Sequence, residues 1–247
     1  MMEGIEIIHE PNAAEPFLVL HKASGLPSAP IKNFPDSAFT RAMELYPELE
    51  KVSGRKIEEH GLVHRIDTAT SGLLLIAANQ DFYEWILKCQ EQGRFIKSYT
   101  AFCQELSIED DSFPPLHDDV HEDLIQKGFA MVSSKFRYFG KDRKLVRPVC
   151  PWSSPAAIKK AEKYEYSTEL RLIEKKGAQF KFEASISRGF KHQVRCHLCW
   201  CGFPILGDAD YNPHAEGPMQ FYATGFHFPM PDGREAVFSI KGWECAD

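Results

Sequence analysis

Two stretches of strict alternation, one on each side of Lys176-Gly177, constrain this chain more than any other feature. Tyr164, Tyr166, Thr168, Leu170 and Leu172 alternate with mostly polar residues before the glycine, and Phe180, Phe182, Ala184 and Ile186 do the same after it. A period of two puts every second side chain on one face of a strand, so the pair predicts an antiparallel hairpin with one buried face. Shorter strands are expected at 6–9, 17–21, 73–78, 220–228 and 235–240, the third of them apolar enough to be buried on both faces. Helices are expected at 38–46, capped by Asp36 or Ser37 and closed by Pro47, and at 81–92, with apolar residues at 82, 85, 86 and 89 and Gly93 as the stop. The mixture reads as α+β, a mixed and largely antiparallel sheet with flanking helices, and no repeat or linker marks a firm domain boundary. A chain of 247 residues with 43% hydrophobic content suffices for one large domain or two small ones.

Charge sorts the partners. A net charge of −6 argues against a protein that binds polyanions through bulk charge. That charge is uneven, however: residues 105–123 hold eight acids and no Lys or Arg, while 135–147 hold six bases against Asp142 alone. Each run reads as a solvated surface. Yet Phe136, Tyr138 and Phe139 are interleaved with the bases, the pairing that nucleic-acid surfaces use for stacking and phosphate contact. No stretch approaches the roughly 18 to 20 apolar residues needed to cross a bilayer. The N-terminus lacks a basic segment followed by an apolar one, so no secretory signal is read and the cytoplasm is the default. Seven cysteines make an odd count in a chain too long to need disulfides, and reduced thiols are expected. Cys196, His197, Cys199 and Cys201 invite a metal reading; the cluster is local, lacks a distant second pair and sits among Leu198 and Trp200, so no metal is expected there.

Three segments concentrate polar chemistry. His64-Arg65-Ile66-Asp67-Thr68-Ala69-Thr70-Ser71-Gly72 runs directly into the expected buried strand. Asp67 there could be a general base, a metal ligand, a nucleophile or a turn former held by nearby hydroxyls and amides. Phe95 to Phe102 reads as a strand in which Lys97 and Tyr99 project to one face. Arg188-Gly189-Phe190-Lys191-His192-Gln193-Val194-Arg195 leads into an apolar stretch; a helix over 191–201 would put Lys191, Arg195 and Cys199 on one face. Arg195 has apolar neighbours, and a buried guanidinium needs a carboxylate or phosphate partner.

Taken together, His-Arg-Ile-Asp-x-x-Thr-Ser-Gly-Leu-Leu, then Lys-x-Tyr-x-Ala, then His-Gln-Val-Arg-x-His-Leu followed by Gly-x-Pro-Ile-x-Gly-Asp-x-x-Tyr resemble the RluA-type pseudouridine synthases. The N-terminal Lys22-Ala23-Ser24-Gly25-Leu26 resembles that family's Lys-Pro-x-Gly-Leu, and the resemblance spans about 17–228. It implies a pseudouridine synthase fold with a central cleft: an N-terminal extension at 1–16, a catalytic domain at 17–247 with an acidic insertion near 105–123, and no separate N-terminal RNA-binding domain. Position by position it implies that Asp67 is the catalytic aspartate, that Arg65 fills the space left by a flipped base, that Tyr99 stacks on the uracil, and that Arg195 pairs with the aspartate. His64, Lys97, Arg188, Lys191, His192 and Gln193 join Arg65 as the RNA-binding set. The implied partner is ribosomal or transfer RNA, and no cofactor or metal is required; a monomer is the default state. Departures are Ile66 for the usual Leu, Val194 for Ile, Ala23 for Pro, and Arg188-Gly189-Phe190-Lys191 where many members have Gly-Arg-Thr. The last of these bears on how the loop holds phosphates. A kinase reading of His64-Arg65-Ile66-Asp67 fails for want of the uninterrupted His-Arg-Asp, the glycine-rich loop and Asp-Phe-Gly. A catalytically silent RNA-binding module of the same fold is the remaining alternative, and the presence of Asp67, Tyr99 and Arg195 together speaks against it.

Overall fold

The computed structural model describes residues 3–31, 34–106, 110–116 and 118–240, so Glu109 of the acidic run and Cys245 lie outside the described residues. In chain order the elements are β1 (Ile5–His9), β2 (Phe17–Lys22), α1 (Ala38–Leu45), β3 (Ser71–Ala77), α2 (Gln80–Glu91), β4 (Ile96–Gln104), α3 (Asp118–Gln126) and β5 (Phe129–Phe139). They continue with β6 (Leu145–Val149), α4 (Pro155–Lys159), β7 (Tyr166–Lys176), β8 (Gln179–Ile186), α5 (Gln193–Trp200), β9 (Phe221–Pro229) and β10 (Glu235–Ser239). The architecture is α+β with a largely antiparallel sheet, as the alternation implied. No helix among the described residues is long and apolar enough to cross a membrane.

Two compact units divide the chain, one of residues up to 97 together with 222–240, the other of residues 98–221. In the first, β1, β2, β3 and β9 lie side by side and β10 adds to β9. All pairs are antiparallel except β3 with β9, where Ser71 faces Tyr222 and Gly72 faces Ala223 in parallel. The 1–16 extension thus contributes β1 to this sheet. β3 is buried along its whole length, the pattern of a strand covered on both faces. Ser37 and Thr40 form a reciprocal capping box that starts α1. Asn79 starts α2 by accepting from the Phe82 N–H at 2.9 Å, and Gly93, at φ 70°, takes the left-handed turn that ends it. Phe82, Tyr83, Ile86 and Cys89 of α2 pack on Phe17, Leu73, Leu75, Phe95, Phe226 and Phe228.

In the second unit the strand order is β4-β8-β7-β5-β6. β7 and β8 form the expected hairpin, with Leu170 opposite Ala184 and Leu172 opposite Phe182, and Gly177 at φ 56° makes its turn. Three local expectations need correction. The helix begins at Gln193 rather than 191, because His192 has left-handed backbone at φ 53°; Lys191 therefore precedes α5 and shares no helical face with Arg195. The basic run is the β5–β6 hairpin, and Phe136 is fully buried in it against Tyr166, Cys196 and Tyr211, so its ring is core and offers no surface for a base. The acidic run is not a plain solvated loop, since it supplies α3, and Asp110 and Ser112 bind Arg147 at 3.0 and 2.6 Å.

Candidate active site

In the first unit the segment leading to β3 is fastened along its backbone. The Ser28 hydroxyl donates to the Ile66 carbonyl at 2.8 Å and accepts the Ile66 N–H at 3.1 Å. The Thr68 carbonyl accepts the Gly25 N–H at 2.8 Å, and the Ser24 hydroxyl donates to the Ala69 carbonyl at 2.7 Å. The Thr70 N–H closes a turn on the Asp67 carbonyl at 3.0 Å. Beneath them Lys22 is fully buried and spends its ammonium on three carbonyls, those of Ala23, Leu26 and Thr68, at 2.9, 2.7 and 3.2 Å. Burial lowers the Lys22 pKa to about 8, and the negative charge of Asp67 opposes that shift. The N-terminal Lys22–Leu26 motif thus holds the loop that carries the half-buried Asp67.

Gly72 follows at the start of β3, where φ is 134° and a Cβ would stand 2.2 Å from the Ala223 carbonyl oxygen. Only glycine permits that approach. Arg65 is exposed and donates to Glu59 at 3.0 Å, a carboxylate it shares with Lys56. His64 is turned the other way. Its Nε2 accepts the Leu75 N–H at 3.2 Å, and its ring stands edge-on to Phe95 and Phe226 at 5.5 and 5.8 Å. Burial first, and the charge of Lys97 second, lower its pKa to about 3, so the ring is neutral. Lys97 is itself buried, its ammonium 5.0 Å from the Phe95 ring centre, with a pKa lowered to about 8 by burial and then by Arg55.

In the second unit Tyr99 is buried and stacked on Phe221, centroid to centroid 5.2 Å at 12°. Arg195, on α5, is 5% exposed and lies in a fork of carboxylates. Its Nε and Nη2 donate to the two oxygens of Asp208 at 2.7 and 2.6 Å, and Nη2 donates also to Asp210 at 2.9 Å. Two parallel bonds of this kind fix both position and plane of a guanidinium. Burial would raise the Asp210 pKa; the hydrogen bond and charge of Arg195, with Lys144 and His192, hold it below the usual carboxylate value. His192 bonds the Tyr211 hydroxyl at 3.2 Å, which in turn accepts the Val146 N–H at 3.0 Å.

Gln193 is buried and latches the preceding loop to the sheet: its Nε2 donates to the Ser167 carbonyl and Thr168 Oγ1 at 2.9 and 3.1 Å, and its Oε1 accepts the Phe190 N–H at 2.9 Å. Arg188 lies 4.6 Å over the Tyr164 ring, and the exposed Lys191 donates to the Arg143 carbonyl at 3.4 Å. Where the loop departs from Gly-Arg-Thr, Phe190 inserts its ring between Phe136 and Tyr138, 5.2 and 5.6 Å away. The cysteine cluster is a packing feature: Cys196 and Cys199 donate to the carbonyls of Val146 and Tyr211, and both nitrogens of His197 are bonded to Ser134 and Thr168. Among the described residues no group of three or more His, Cys, Asp or Glu is placed to hold a metal ion.

The residues predicted to act therefore fall into two sets, with Asp67, Arg65, His64 and Lys97 in the first unit and Tyr99, Arg195, Arg188, Lys191, His192 and Gln193 in the second. Sequence reasoning left Lys22, Ser28, Asp208 and Asp210 without roles. The last two stood in the quoted Gly-Asp-x-x-Tyr motif, and the need of a buried arginine for a carboxylate was the signal that could have found them.

The fold is that of known pseudouridylate synthases. The human RNA pseudouridylate synthase domain containing 1 superposes with a TM-score of 0.66 at 18% identity, over 97% of this chain and 84% of that one. A sequence profile of the RNA pseudouridylate synthase family matches residues 16–200, and the chain belongs to that family. Among curated relatives, an uncharacterized RNA pseudouridine synthase of Chloroflexus aurantiacus is 28% identical over 79% of this chain and 49% of its own length. The ribosomal large subunit pseudouridine synthase D of Blochmanniella floridana is 24% identical over 84% of this chain and 54% of its own. The chain spans about half the length of these two relatives.

Proposed function

We propose that this protein converts uridine in RNA to pseudouridine, with Asp67 as the reacting carboxylate. The observation that carries the reading is the family match over 16–200 together with a backbone-locked loop presenting Asp67 in its motif. The reaction breaks the bond from uracil N1 to ribose C1′, turns the base, and joins C5 to C1′; N1 gains the hydrogen that C5 gives up. Asp67 serves ionised, as nucleophile at C1′ or as base at C2′, and either role requires its charge. Flipping the uridine out of its stack costs a few kcal/mol. Arg65 offsets part of that by entering the vacated stack, which requires it to leave Glu59, an exposed pair worth about 0–1 kcal/mol. Tyr99, already stacked on Phe221, offers uracil a flat wall in either orientation. Arg195 supplies a cation to the reaction, and Asp208 and Asp210 hold it in place.

Arg188 and Lys191 meet phosphates, whereas His64, Lys97, His192 and Gln193 act through the segments they fasten. Because relatives carry ribosomal large subunit names, ribosomal RNA is the first substrate to test and transfer RNA the second. Pseudouridine mapping by carbodiimide-dependent reverse-transcription stops tests the reading directly. Wild-type protein added to RNA from cells lacking the gene restores one or more stops, and Asp67→Asn restores none while melting like wild type. Restoration by Asp67→Asn sinks the assignment; no restored stop with wild type sinks the activity.

A further inference from the structure

The second unit carries a strip of rings and cations that the reaction does not use. Tyr164 is 49% exposed, with the Arg188 guanidinium 4.6 Å and the Lys163 ammonium 5.3 Å from its ring centre. Near it in sequence, Tyr166 is buried. Phe190 bridges onward, 5.1 Å from Tyr166 and 5.6 Å from Tyr138. Over Tyr138, at 4.2 Å, lies the guanidinium of Arg143 at the tip of the β5–β6 hairpin.

That tip is strained. Asp142 and Arg143 are consecutive non-glycine residues with φ of 57° and 55°. Left-handed backbone disfavours L residues, and such strain persists where the surroundings enforce it. Lys191 ties the tip to the loop before α5 through the Arg143 carbonyl. Arg143, Lys163 and Arg188 thus carry their charges against aromatic rings. Glu162 and Glu165 lie alongside and do not outnumber these cations.

We propose that Tyr138, Tyr164, Arg143, Lys163 and Arg188 form a platform for single-stranded RNA flanking the modified uridine. The proposal rests on the RNA reading above and adds where the flanking strand lies. A base stacks on an exposed ring such as that of Tyr164 with little regard to sequence, the half-buried Tyr138 extends the surface, and the cations beside the two rings meet the phosphates. A protein partner would require carboxylates to answer three cations, whereas the phosphates of RNA carry that charge at every nucleotide.

The test is fluorescence anisotropy of a labelled oligouridylate of about twelve nucleotides, the site size of one such surface, with the full chain at several salt concentrations. Tyr164→Ala is expected to weaken binding about tenfold with the salt slope unchanged, and Tyr164→Phe to bind like wild type. Arg143→Gln is expected to weaken binding and to reduce the slope by about 0.7, one single-strand phosphate. Lys176→Ala, at the far turn of β7 and β8, is the matched loss of charge and leaves binding unchanged. Melting curves coinciding with wild type exclude misfolding. Equal binding by Tyr164→Ala and Arg143→Gln, or no binding by wild type, overturns the platform. Pseudouridine formation is scored separately: weaker binding by both variants with no pseudouridine from wild type leaves the platform standing and removes the activity.

Discussion

Lys22 shows how one buried charge can matter more to a loop than to the stability of the fold. A drop in pKa from 10.5 to about 8 means the ammonium is disfavoured inside by roughly 3 kcal/mol. Lys22→Met relieves that penalty. It also strands the Ala23 and Leu26 carbonyls at about 1–3 kcal/mol each, while Thr68 keeps the Gly25 N–H. The two effects nearly cancel, so the melting temperature is expected to move by only a few degrees. Turnover is expected to fall at least about tenfold, because a misplacement near 1 Å is enough to slow chemistry 100-fold. Turnover at the wild-type rate would mean the Asp67 loop needs no such tether. At this scale a candidate was legible where a family motif is contiguous: Asp67, Arg65 and Tyr99 were read from the resemblance to such motifs. Asp208 and Asp210 were not, because the partner of a buried arginine is set by where α5 packs, and no one-dimensional spacing encodes that.

Among the elements, β3 depends most on a single residue. Gly72→Ala places a methyl 2.2 Å from the Ala223 carbonyl at a φ of 134°, so β3 and β9 must part or the backbone must rotate. Overpacking and strain add, and a loss of about 3 kcal/mol or more is expected, read as a lower urea midpoint. An unchanged midpoint would show that β9 yields without cost. The strands and the first two helices were readable because each has one periodic face and a capping residue. α5 was misread at its start, since it is buried all round and carries no polar stripe to mark its ends. The left-handed His192 that precedes it bonds the Tyr211 hydroxyl, nineteen positions away. The basic run was misread in a similar way. Phe136 sits at a position whose alternation with Tyr138 and Ser134 belongs to a buried strand face, and its flanking charges masked the period.

For the whole molecule, the formal charge of −6 says little about what the surface presents, because charges on the acidic and basic runs meet each other. Arg147 is buried against Asp110, Ser112 and the rings of Phe113 and Phe139, so part of each run is internal structure. Two enclosed histidines, one in each unit, tie stability to pH. Burial lowers both His64 and His197 to about 3. The unfolded chain takes up those protons near 6.5 and the folded chain does not until about 3, so the unfolded state holds more protons between the two values. Stability contributed by the neutral rings is therefore full above pH 6.5 and falls as the pH drops, by about 1.4 kcal/mol per unit for each ring. His197 is the cleaner case, fully buried and bonded through both nitrogens to Ser134 and Thr168. Urea unfolding of the second unit, followed from about pH 7 to about pH 5, is expected to lose about 2 kcal/mol in wild type from this residue. His197→Gln, which can still bond both hydroxyls but cannot titrate, is expected to start less stable at pH 7 and to lose correspondingly less on acidification. Parallel losses in the two proteins would show that His197 takes up its proton in the folded state as readily as in the unfolded one.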